Sequence, residues 1–130
     1  MHWDEERMPG RQEIEELLAF LPIFTAEGFT PVLKDFSLEE KDGVLSPSYP
    51  VYHDEVDRFM SLVGGRRWRD VCYTDYPNNE LLRSEDGVEK ADLAHIRALL
   101  TFMSRGERFC DGFTGGIFEA GHVVRVLRRL

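Results

Sequence analysis

The densest concentration of chemically useful side chains is the run Arg105-Gly106-Glu107-Arg108-Phe109-Cys110-Asp111-Gly112. Two guanidinium groups and two carboxylates surround one aromatic ring. If the run is helical, Glu107 and Asp111 stack at i, i+4, while Arg105–Arg108 and Arg108–Asp111 stand at i, i+3. Three readings compete. In a helix-junction staple the arginines fork onto carboxylates or free carbonyls, and Phe109 plugs the core. In an anion or substrate pocket, Arg105 and Arg108 bind, Glu107 or Asp111 acts as general acid or base, and His122 joins from the next segment. The third reading is a protein-contact surface.

A second group is Arg66-Arg67-Trp68-Arg69, followed by Tyr73 and Tyr76. Aromatics between arginines can stack the bases of a single strand, which makes Trp68 and Tyr73 candidate binders. The competing reading places Trp68 in the core, with its apolar body in a seam. Arg125, Arg128 and Arg129 form a basic stripe near the end of the chain. The overall charge of -8 argues against a nucleic-acid partner, because phosphate contacts need a positive surface. That charge is lopsided. Residues 1–57 hold 14 acids and 4 bases, and residues 58–130 hold 10 acids and 12 bases.

Other chemistries lack their signatures. There is no glycine-rich nucleotide loop, no Gly-x-Ser-x-Gly elbow, no CxxC pair and no two histidines at i, i+4. No metal or other cofactor is expected. Cys72 and Cys110 are too few for a disulfide framework. Cys110, after Phe109, reads as a small buried thiol.

These side chains must be positioned by a chain of 130 residues, the length of one domain, and 42% of it is hydrophobic. The spacing predicts helices. Ile14, Leu17, Leu18 and Leu21 share one face, with Pro22 as a stop or kink. Val56, Phe59, Met60 and Val63 share another, and Gly64-Gly65 offers φ > 0 at its end. Leu93, Ile96, Leu99, Leu100 and Met103 mark the strongest helix, over 92–105, with Asp92 as N-cap. Pro77 starts a short helix over Glu80 to Leu82. Two further helices cover about 111–119 and 122–130, separated by a left-handed Gly121. Residues 25–52, broken by Pro31, Gly43, Pro47 and Pro50, read as irregular. A turn falls at Lys41-Asp42-Gly43, and short extended pieces at Val44-Leu45 and Tyr49–Tyr52.

The sequence also resembles a family of small bacterial and archaeal domains of unknown function. The resemblance rests on Gly43-Val44-Leu45, Pro50 to Tyr52, Val56, Phe59, Ala91-Asp92-Leu93 and Leu99-Leu100-Thr101. It continues through the Arg105–Gly112 run, Gly121 and Leu127 to Leu130, and so covers most of residues 12–130. The chain departs from the family in Val71 to Tyr76, where relatives carry a tryptophan, and at Phe113, where many carry His. The resemblance implies a mostly helical prokaryotic protein and brings no activity, substrate or cofactor.

The expectation is therefore one domain over 1–130, mainly α, a bundle of about five helices with an irregular, short-stranded insert at 25–52. Residues 1–11 are expected to form a flexible arm. The N-terminus lacks an apolar signal segment, and no stretch is long enough to span a membrane, so a cytoplasmic setting is expected. The preferred function is a binding or regulatory module for a protein partner or a second copy. The alternatives are a small enzyme or anion binder using Arg105–Asp111 with His122, and a nucleic-acid accessory.

Overall fold

The structure is a computed structural model that describes residues 8–130. Helix α1 (Arg11–Leu18) buries Leu17. Glu13 in its first turn reaches back to the Gly10 amide (3.1 Å), satisfying one of the donors a helix start leaves free. The helix stops before Pro22. A four-residue helix, α2 (Leu21–Phe24), takes that proline in its first turn, where the missing N–H costs nothing. Most of the expected flexible arm lies outside the described residues. Its described end is packed: Pro9 is buried, and the Met8 thioether accepts from Arg97 (3.7 Å).

Helix α3 (Asp54–Val63) buries Val56, Phe59 and Val63 as the spacing predicts. Its N-cap is His53, whose Nδ1 accepts from the Glu55 amide (3.0 Å). Gly64 ends the helix at φ -82°, so the expected left-handed cap is absent. Short helices α4 (Asn78–Arg83) and α5 (Gly87–Lys90) lead to the central helix α6 (Leu93–Arg105). Asp92 caps α6 by accepting from the His95 amide (2.9 Å). Helices α7 (Phe113–Glu119) and α8 (His122–Arg129) follow, with Gly121 between them at φ +82°. Phe20, Phe24, Phe59 and Phe118 interlock largely edge to face, with the Phe24 and Phe118 ring centres 4.9 Å apart.

One core residue escaped the sequence reading. Arg97 is fully buried on α6, where its guanidinium donates to the carbonyls of Trp68 (3.2 Å) and Arg69 (2.8 Å). Thr101, one turn on, accepts from the Asp70 amide (3.0 Å). Together they clamp the loop after α3 onto α6. A buried arginine is tolerated where its donors are taken up in this way.

The insert is more ordered than expected. It holds β1 (Val32–Lys34), β2 (Ser37–Lys41), β3 (Val44–Ser48) and β4 (Val51–Tyr52), so the fold is helix-dominated with a small β part. β1 pairs antiparallel with β4, and β2 with β3. The two pairs are nested into one ribbon, with β1–β4 as its base and β2–β3 as its tip. Asp42 and Gly43 both take positive φ (54° and 78°), the geometry of the two-residue turn that suits the twist of a hairpin.

A candidate binding cleft beside the arginine run

The Arg105–Gly112 run is not a helix. Helix α6 ends at Arg105, a 3-10 turn spans Gly106–Arg108, and Gly112 is left-handed (φ +88°) before α7 begins. The i, i+4 stacking expected of Glu107 and Asp111 therefore does not form. The side chains instead separate into two groups.

Glu107 turns inward. Its carboxylate accepts from the amides of Gly112 (3.1 Å) and Thr114 (2.8 Å), capping the positive end of α7. The Tyr52 hydroxyl lies 3.0 Å from both carboxylate oxygens and donates to them. Burial, reinforced by this carboxylate, pushes the Tyr52 hydroxyl up to about 12. Two glycines make the junction possible. A Cβ on Gly106 would stand 2.0 Å from the Phe113 ring, and one on Gly115 would stand 2.8 Å from Val32 Cγ2. Glu107 thus joins the ribbon base to α7.

Arg105, Arg108, Phe109, Cys110 and Asp111 lie toward solvent. Phe109, expected in the core, is 81% exposed, because the 3-10 turn carries it past the end of α6. Cys110, expected to be buried, is an exposed free thiol, as is Cys72. Arg105 lies over the Tyr73 ring at 5.5 Å, a stacking guanidinium geometry. The two border a cleft of about 270 Å³ lined also by Thr74, Tyr76, Asn78, Asn79, Phe102, Gly106 and Phe109. Tyr76 is braced edge-on by His95 (4.9 Å) and Phe102 by Phe113 (5.7 Å).

The profile of DUF6508, described as a family of unknown function, matches residues 9–130. The chain belongs to the DUF6508 family. No curated protein and no solved structure matches it.

The remaining sequence candidates in this DUF6508 chain are dispersed. Arg108, Asp111 and His122 do not line the cleft that Arg105 and Tyr73 border. His122 begins α8, half-buried, and burial together with nearby Arg125 holds its pKa below the usual value. Trp68 is 3% exposed, so its ring faces are closed to a stacking base. Arg67 pairs with Glu13 on α1. In the C-terminal stripe Arg125 bridges Glu89 (2.7 Å) and the carbonyls of Leu82 and Ser84, holding the Glu89 carboxyl down at about 2. Arg129 donates to the Ala91 carbonyl (2.8 Å). Two of the three stripe arginines are therefore engaged in holding α8 to the chain before α6. Among the described residues no three His, Cys, Asp or Glu side chains gather as a metal site, and no helix is long and apolar enough to cross a membrane.

Sequence reasoning missed Asn78 and Glu107's capping role. Asn78 carries no motif. Glu107 left a faint trace, an acid shortly before a glycine and a new helix.

Proposed function

We propose that the chain is a small cytoplasmic interaction module that contacts a protein partner through the tip of its β-ribbon. The observation that carries this reading is the arrangement of side chains on β2 and β3. The register pairs Leu38 with Pro47 and Glu40 with Leu45. Side chains alternate along a strand, so these four share one face, and Phe36 and Tyr49, in ring contact at 6.1 Å, extend it. Leu38 is 64% and Leu45 66% exposed. The opposite face carries Ser37, Glu39, Lys41, Ser46 and Ser48, with Val44 as its one apolar residue. A contiguous apolar face left in water marks a contact site, and a two-stranded ribbon alone is only marginally stable.

The face also says what would cover it. Pro47 occupies a non-hydrogen-bonded position, counted from the turn, and leaves the β3 edge without an outward donor there. Along β3 the tip therefore presents side chains rather than a full edge for strand addition. Asp35, Glu39, Glu40 and Asp42 outnumber Lys34 and Lys41 around it, so the partner surface is apolar with a basic rim.

A photo-crosslinking residue at position 45, used in intact cells, tests the reading. One dominant adduct is expected, absent with the same label at exposed Glu15 and lost when Leu38→Asp is added. An adduct of twice the 15.1 kDa chain mass would identify a second copy as the partner. Labelling at position 45 no stronger than at 15 would reject the tip as a contact surface.

A further inference from the structure

We infer that the cleft between Tyr73 and Phe109 binds a small aromatic carboxylate that also carries a hydroxyl or amino donor. Three independent features of the cleft call for the three parts of such a molecule.

The first is a buried acceptor. Asn78 is only 5% exposed and lines the cleft. Its Nδ2 donates to the Tyr73 carbonyl (2.9 Å), which fixes which way round the amide sits. Oδ1 is then left as a buried side-chain acceptor without a donor, the one such atom among the described residues. Buried polar atoms are nearly always paired, so an orphan on a residue that lines a cleft is a place for a ligand N–H or O–H.

The second is a cation with no carboxylate. Among the described residues Arg105 forms no ion pair. Its contact is the face of Tyr73. A planar guanidinium held on an aromatic ring keeps its N–H fork available for a carboxylate. Among the described residues it is the lone cation of the lining, which suits one carboxylate better than the heavier charge of a phosphate.

The third is the wall. Tyr73, Tyr76, Phe102 and Phe109 offer four rings around a space of about 270 Å³, at the small end of ligand clefts. That space accepts one ring with short substituents and is too small for a dinucleotide. Phe109, mostly in water, gains apolar cover when a ring lies against it.

The test is a titration of the whole chain with 4-hydroxybenzoate, followed by amide and side-chain NMR shifts. Saturable shifts are expected at Asn78, Asn79, Arg105 and Gly106. Benzoate, which lacks the donor, and 4-hydroxybenzyl alcohol, which lacks the carboxylate, should each bind about tenfold more weakly. Arg105→Gln and Phe109→Ala should leave the fold intact, since both side chains lie outside the core, and should weaken 4-hydroxybenzoate binding by a similar factor. Leu38→Asp on the ribbon tip should leave it unchanged, which separates this site from the proposed protein contact. Equal binding of 4-hydroxybenzoate and benzoate, shifts centred elsewhere, or no saturation at millimolar ligand would overturn the assignment.

Discussion

The base and the tip of the β-ribbon are built from adjacent residues of one insert, yet they are held in opposite ways. The base packs Val32 and Tyr52 over Gly115, and the Tyr52 hydroxyl is locked to Glu107. The tip has its own ladder and turn, but every residue from Leu38 to Pro47 is exposed. The base is tied by a polar bond set in a close apolar contact. The tip carries apolar side chains that stay exposed among the described residues. The contrast assigns stability to the first and leaves the second free for the contact proposed for it.

The largest effect should come from closing the seat of the base. Gly115→Val places methyl groups where Val32 and Tyr52 already lie, and should cost about 3 kcal/mol in urea unfolding. Glu107→Ala removes the acceptor shared by two helix-start amides and Tyr52. A loss of about 2 kcal/mol is expected. Tyr52→Phe keeps the ring and deletes one hydrogen bond, for a loss of about 1 kcal/mol. It should also change the response to base. The folded hydroxyl titrates at about 12 and the unfolded one near 10, so the folded chain holds its proton more tightly. The contribution is complete below pH 10 and is lost as the pH rises through about 12. Thermal melts of the native chain should fall across that window more steeply than those of Tyr52→Phe. The smallest effect on stability should come from the tip. Leu38→Asp combined with Leu45→Asp should stay within about 0.5 kcal/mol of the native chain, because no buried contact is lost. A large loss there would show that the tip is packed after all.

The helices were legible because burial repeats every third or fourth residue, and Leu99, Leu100, Val126 and Leu127 sit where that period puts them. The turn at Asp42-Gly43 was legible from local chemistry alone. Of the strands, only parts of β3 and β4 were legible, as the short extended pieces at Val44-Leu45 and Tyr49–Tyr52. On β2 and β3 the apolar residues face solvent, and Pro47 looks like a breaker when an edge strand tolerates it. The arginine run was seen as dense but misread, because spacing was counted along a helix that ends at Arg105. A 3-10 turn and a left-handed Gly112 then send Glu107 inward and Phe109 outward. Glycines 106 and 115 act through the rings and methyls opposite them, contacts across the fold that no local pattern records. Asn78 matters only because its second polar atom finds no donor, which depends on the packing of Tyr73.

Amide hydrogen exchange on the isolated chain tests the division of the ribbon most directly. The amides of Gly112, Thr114 and the β1–β4 base should open only with the body of the protein. The ladder amides of Glu39 to Ser46 should exchange through local opening orders of magnitude sooner. Equal protection of tip and base would mean that the chain itself covers the tip, and would contradict its assignment as a surface kept for a partner.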